Sequence, residues 1–557
     1  MKNKTAIIRG LVLLLALVAV NILSFYFFER FDLTEDNRYT LSDPAKEILA
    51  KADSPIIIDV FLEGDFPPEF RKLQEETRQL LEEIQAFNPK VNFNFINPLE
   101  DGGDANTIAT QFYEMGMTPA RINVVENGRS SESIIFPWAM ANYGKETVIV
   151  PLLKNKLGAT SEERVSSSVQ QLEYAFVDAI SKLVNPKRKK VAVMRGNGEL
   201  PDAYIADFIR SVQEYYFVAP FTLDSVAANP QKTLQDLREY DLVIEAKPTE
   251  AYTEQEKFVL DQYLLSGGKF IWMVDQVAME TDSLFTPTGN AFALPRELNL
   301  GDYFFKYGLR INPTLVNDIY SAPIILASGR GNDTQFNPYP WFYFPLTVSN
   351  RNHPVVNNIE AVKFEYTSPM DTLRNGIQKT ILLTSSPSTK IEGTPKEINL
   401  SSVNQEPDLS TYTAGEQPLA VLLEGKFESV YKNRLKPFEI PDPLEAGKET
   451  AMLVISDGDI VKNQLQQGAP LDLGFDRFTG TTYGNKEFLM NSVNYLLDDS
   501  GLIKIRSKEI SIAFMDLREA EENRLFWQII NIAAPLALLG LFAFAFIFLR
   551  RRKYMRN

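Results

Sequence analysis

The sequence contains no cysteine and a single histidine, His353. Without cysteine there can be no disulfide, zinc ribbon, iron–sulfur cluster, thiol nucleophile or cysteine-linked lipid. One histidine cannot build a multi-histidine metal site, and most acid–base machinery goes with it. The chain also lacks a P-loop, and no Gly-x-Ser-x-Gly elbow exists for His353 to serve. That residue precedes Pro354 in a polar stretch and reads as structural or surface. Excess positive charge is missing too. The 57 basic side chains face 72 acidic ones, a net −15. Such a chain is a poor partner for nucleic acid.

What is present starts with length. At 557 residues the chain is long enough for two or three domains with sizeable cores. Long apolar runs occur only at its two ends. Residues 10–28 carry no charge and follow Lys2, Lys4 and Arg9. As a helix this run would reach about 28 Å, close to a hydrocarbon core. It is too long for a signal-peptide core and reads as a signal anchor. Residues 526–549 are likewise uncharged, contain Pro535, and run straight into Arg550, Arg551, Arg552, Lys553 and Arg556. Both basic flanks are expected to stay in the cytoplasm. The chain then crosses the membrane twice, and 29–525 lies outside. The flanks hold eight basic residues and no acid, so 29–525 carries 49 basic and 72 acidic side chains, a net −23.

The exterior part reads as α/β. Asp43-Pro44 suggests an N-cap and first turn for a short helix to Lys51. A strand at 56–62, a helix at 67–87 with apolar residues every three or four positions, and an alternating strand at 91–96 open a small domain. A helix at 105–115, strands around a Glu126-Asn-Gly-Arg129 turn and a strand at 146–152 complete it. Thr160-x-x-Glu163 is a capping box opening one helix to about Val184. After the polar run 185–190, strands and helices alternate strictly to Val274, which predicts a parallel sheet covered on both faces. Residues 276–450 are rich in Pro, Asn, Thr and Ser and predict a β-rich insertion with long loops. The pattern returns with a strand at 451–456 and a helix at 485–497.

The expected domains are therefore 1–9, a cytoplasmic N-terminus; 10–28, a membrane helix; 29–52, a juxtamembrane segment; and 53–158, a small α/β domain. A connecting helix and linker follow at 159–188. A doubly wound parallel α/β domain spans 189–525, with its insertion at about 276–450. A second membrane helix at 526–549 and a basic tail at 550–557 close the chain.

Three places invite a site. Arg195-Gly-Asn197-Gly-Glu follows a strand and precedes a helix, where doubly wound sheets bind ligands. Its third glycine position is Pro201, so it is no dinucleotide fingerprint, and a tight turn is the plainer reading. Asp457 and Asp459 lie just past another strand and could help hold a hard cation. A full calcium loop is missing, and a turn again suffices. The aromatic run Tyr339, Trp341, Phe342, Tyr343 and Phe344 could face a glycan or a partner, or fill a core. No catalytic residue, metal site or cofactor follows from any of them.

Several stretches carry a family resemblance. They are Asp32-Leu-Thr-Glu-Asp-Asn-Arg-Tyr-Thr-Leu-Ser-Asp43, Phe61-Leu-Glu-Gly-Asp65, Gln171-Leu-Glu-Tyr174, Leu473-Gly-Phe-Asp476 and Asn491-Ser-Val-Asn-Tyr-Leu-Leu-Asp498. In their order, and with the two terminal runs, the chain resembles the GldG family of gliding-motility ABC transporter auxiliary proteins over nearly its whole length. The resemblance implies a bacterial inner-membrane protein with a periplasmic bulk. It implies a separate ABC permease and a cytoplasmic ABC ATPase as partners, and allows a homodimer within the complex. It also implies a central fold similar to class I glutamine amidotransferases. Those enzymes need a Cys-His pair, so without cysteine the activity is excluded. A non-catalytic transporter subunit that binds a substrate or partner is the expectation. The alternatives are a cell-envelope scaffold of the motility apparatus and a membrane-tethered glycan hydrolase, which would need paired carboxylates in a cleft.

Overall fold

The computed structural model describes residues 40–508 and 523–554, apart from 101, 127–128, 155, 330–333 and 351, together with positions 12, 17 and 18. The first expected membrane span and the acidic segment after it lie outside the described residues.

The chain opens with α1 (Asp43–Leu49), whose N-cap is Ser42, one residue earlier than the sequence suggests. The Ser42 hydroxyl accepts the Ala45 amide, so Asp43 is free to serve as the acidic residue of the first turn. A four-stranded sheet follows in the order β2 (Val91–Phe95), β1 (Ile56–Val60), β5 (Trp138–Tyr143), β6 (Glu146–Pro151). β1 and β2 are parallel, while β5 runs against both its neighbours. The amphipathic α2 (Pro68–Phe87) buries Phe70, Leu73, Leu81 and Ile84. α3 (Ala105–Glu114) and the hairpin β3 (Ala120–Glu126)–β4 (Arg129–Ile135) complete this part.

The capping box at Thr160 and Glu163 forms, but the single expected helix is two: α4 (Ser161–Val169) and α5 (Leu172–Val184). The break coincides with one local and two longer-range contacts. Ser168 turns its hydroxyl back to the Arg164 carbonyl while accepting the Lys154 amide, and Gln171 donates its side chain to the Asn358 carbonyl.

The large sheet has eight strands. Five are parallel, in the order β8 (Phe217–Thr222), β7 (Lys190–Arg195), β9 (Leu242–Ala246), β10 (Lys269–Met273), β14 (Ala446–Ile455). The remaining three, β11 (Val348–Ser349), β12 (Gln378–Thr384) and β13 (Pro418–Glu428), come from the insertion and extend the β14 edge antiparallel. The sheet is therefore mixed, and the insertion is built into it. Alternation along β10 sends Phe270 and Trp272 to one face and Ile271 and Met273 to the other. The first face is covered by α7 (Pro230–Leu237), α8 (Glu254–Leu265) and α9 (Gly301–Tyr307), the second by α6 (Asp202–Gln213) and α10 (Asn485–Leu497). The stretch 335–345 is a strand that forms a two-stranded ribbon with 321–328, where Pro338 and Pro340 need no second partner, and its end takes the Tyr366 and Phe364 amides on the Tyr343 and Pro345 carbonyls.

Residues 511–557 form a separate unit. Within it α11 (Arg524–Tyr554) is one 31-residue helix with Pro535 inside.

Candidate functional site

In a doubly wound sheet the ligand crevice lies beyond the carboxyl ends of the parallel strands. Here a cluster of charged residues gathers beyond β9, β10 and β14. Lys247 follows β9 directly and has a left-handed backbone, φ +60°, unusual for a residue with a side chain. Its amide donates to the Met273 carbonyl on the neighbouring strand. That bend drops the side chain across the strand ends. Only 3% exposed, it places Nζ 2.5 Å from Asp459 Oδ2, 2.7 Å from Glu280 Oε1 and 3.4 Å from Asp275 Oδ2. Gly458 lets it pass: a Cβ there would lie 2.4 Å from Lys247 Cγ. Asp275, two residues past β10, accepts the Gly458 amide at 2.5 Å. Lys462 adds a second cation, 3.3 Å from Asp459 Oδ1.

The electrostatics are internally balanced. Against the cost of its burial, Asp275, Asp459 and Glu280 raise the Lys247 pKa. Against its own burial, Asp459 is held below the usual carboxylate range by Lys247 and Lys462. Burial pushes Asp275 up, and it pushes Asp457 up much further, with Asp275 and Asp459 adding to the effect. The carboxylate oxygens of Asp275, Glu280 and Asp459 lie within 4.8 Å of one another, a spacing that would suit a divalent cation. The Lys247 ammonium touches all three. The chain's own cation thus does the work of a metal, tying three loops together.

Asp457 and Asp459, the pair suggested by sequence, do not converge on one point. Asp457 accepts the amides of Glu365 and Asp459, at 2.6 and 2.7 Å, whereas Asp459 turns to Lys247. A shared cation between these two is thereby corrected to two separate roles. Lys247, Asp275 and Glu280 were not singled out. Their signal was position: Lys247 and Asp275 each stand within two residues of the end of a strand in the alternating series.

Arg195 and Asn197 lie at the neighbouring strand end, in a closed loop. Arg195 pairs with Asp202 at 2.5 Å. The Asn197 carbonyl accepts the amides of Thr249 and Glu250, at 2.9 Å each, and the residue is 5% exposed. A Cβ on Gly198, at φ +76°, would meet Thr249 Oγ1 at 2.1 Å. The loop after β9 therefore fills the crevice that a ligand would need. Trp341 and Tyr343 are buried, at 1% and 7% exposure, in the insertion's own core with Tyr366 and Leu315. They form no aromatic surface patch. Trp341 Nε1 donates to the Tyr366 hydroxyl, and the Tyr343 hydroxyl to Glu392 at 2.7 Å.

Comparison with known proteins gives the geometry a setting. Residues 35–142 match a domain family of unknown function, DUF7088. An uncharacterized protein of Borreliella burgdorferi is 20% identical over 517 residues, 92% of this chain and 91% of its own length. Among solved structures, the mmIFT52 N-terminal domain aligns with 56% of this chain and 98% of its own, at 12% identity and a TM-score of 0.32, too loose a likeness to bear on function. Residues 188–492, just over half of the chain and the whole of the sheet that carries Lys247, match the family described as an ABC-type uncharacterized transport system, and the chain belongs to that transport-system auxiliary family.

Proposed function

We propose that this chain is a non-catalytic subunit of an ABC transporter, anchored in a bacterial inner membrane at both ends, with its folded body in the periplasm. It couples there to a separate permease and, through it, to a cytoplasmic ATPase. On the motifs quoted above, the transporter is of the gliding-motility type. The observation that carries the reading is the family match over 188–492. Three features support it. At the ends of β9, β10 and β14 the crevice is occupied by the chain's own Lys247. α11 exposes Leu525, Phe542 and Phe544, each more than two-thirds, along an apolar length that suits lipid. Near the two ends of the described body Thr40 and Lys508 meet, which would suit two anchors in one membrane.

The absence of cysteine makes a clean topology test. Leu435, 96% exposed, and Asn557 are each replaced by cysteine in intact cells. A membrane-impermeant maleimide should label Leu435→Cys from outside and leave Asn557→Cys unlabelled. Equal labelling of both, or of neither, overturns the two-pass arrangement. Purification in mild detergent should bring a permease and an ATPase with the chain, and their absence by mass spectrometry overturns the transporter assignment.

A further inference from the structure

A cleft of about 520 Å³ lies away from the strand ends, between the small N-terminal sheet and the large domain. Its volume is in the range of small-molecule pockets, and domain junctions are where such pockets are commonly found. The small domain contributes Trp138 and Lys154, the connecting helix α5 contributes Tyr174 and Ala175, and the large domain contributes Met490 on α10 and Arg506. Most of the wall is apolar. Asp178, Lys182, Asp472 and Lys486 also border it, and Lys154, Glu487 and Arg506 cluster at one end.

At that end Lys154 and Arg506 share a single carboxylate oxygen. Glu487 Oε1 lies 3.1 Å from Lys154 Nζ and 2.6 Å from Arg506 Nη2. Lys154 also donates to the Asn358 carbonyl. Arg506 is 3% exposed, its guanidinium packs over the Tyr174 ring, and its Nε–H has no acceptor among the described residues. The next carboxylate, Glu360, already has both oxygens on the amides of Leu157 and Ala361. Glu360 keeps its charge and still pulls on Lys154, so what is left unmet at this end is a donor, the buried Arg506 Nε–H. Burial pushes the Lys154 ammonium down to about 8, against the pull of Glu487 and with the Arg506 charge adding to the fall. A second anion would relieve both the orphaned donor and the strained ammonium.

We propose that this cleft binds a small monocarboxylate, its anionic head against Lys154 and Arg506 and its apolar body along α5. The bound molecule would touch the small domain, the connecting helix and the large domain at once, so it would set their relative position. The site goes beyond the transporter reading and does not rest on it.

The test uses the full chain in phosphatidylcholine nanodiscs, with 4-phenylbutyrate as probe and its primary amide as the neutral control. Binding is followed by saturation-transfer NMR and by the change in tryptophan fluorescence that is lost in Trp138→Phe. The carboxylate should bind saturably, with the amide about tenfold weaker or worse. Lys154→Met should cost the carboxylate about the same factor and leave the amide unchanged. Ala175→Phe, which fills the cleft from its apolar wall, should abolish both. Binding should weaken as pH rises through about 8, as Lys154 loses its proton. No saturable binding, equal affinity for acid and amide, or binding untouched by Ala175→Phe each overturns the proposal. If Lys154→Met fails to fold, Ala175→Phe and the amide decide it. None of these readouts involves a permease or ATPase, so the outcome is separate from that of the co-purification.

Discussion

The Lys508 ammonium donates to the Thr40 carbonyl at 2.8 Å, joining the last stretch of the folded body to its first. Glu173 on α5 sits between the two. One oxygen accepts the Ser42 amide at 2.7 Å, and the other meets Lys508 at 2.9 Å. Glu173 is 4% exposed, so its charge depends on these partners. Glu173→Ala should cost about 2–4 kcal/mol in urea unfolding, by analogy with other broken buried pairs. It should also raise amide exchange over α1. Unchanged exchange there would mean that the joint holds nothing.

Lys247 carries a second prediction. Lys247→Ala leaves Asp275, Glu280 and Asp459 facing one another with only Lys462 at their edge, at a cost of about 3–5 kcal/mol. Millimolar calcium should then raise the melting temperature of the variant, while the parent chain responds to neither calcium nor chelator. A variant indifferent to calcium would show that the three carboxylates relax apart once the lysine is gone.

His353, the one imidazole in the sequence, offers a pH readout by NMR. Burial pushes its pKa down to about 4, and its Nδ1 accepts the Val355 amide, which suits the neutral ring. The folded pKa lies below the unfolded value, so the unfolded chain binds the extra proton between about pH 6.5 and 4. Stability from this residue is present above pH 6.5 and is lost as pH falls towards 4. The ring signal in NMR should titrate near 4, and His353→Gln should flatten that part of the stability profile. A midpoint near 6.5 would place the ring in water.

Trp341→Ala should destabilise by about 3–5 kcal/mol, as large cavities in cores do. Thermal unfolding of the parent and variant measures it. A variant as stable as the parent but defective in partner binding would return Trp341 to the surface role.

Local signals were readable wherever a short segment decides its own fate. The Thr160 capping box, the stripe of Phe70, Leu73 and Ile84, and helix 485–497 are all set within a few turns of chain. Long-range matters were not. Nothing near Val421 announces that its strand joins the same sheet as Ile271, because the link runs through the pairing of Ile271 with Leu453, well over a hundred residues away in sequence. The split of α4 from α5 depends on Asn358, almost two hundred positions away. The charged cluster was half legible. Asp457 and Asp459 stood out by their spacing, but Lys247 is an ordinary lysine until the fold brings Asp275 and Asp459 around it. The cleft residues Lys154, Glu487 and Arg506 are spread over three distant segments, and no motif links them.

The three antiparallel strands lent by the insertion have a practical corollary. A shortened chain lacking 276–450 would not be a trimmed version of the same domain. It would lose the first half of β14 and expose the flank of the rest, where Met452, Leu453 and Val454 now pair with β13, as an unguarded edge. Such a chain would be prone to self-association, so this insertion is better studied by point substitution than by deletion.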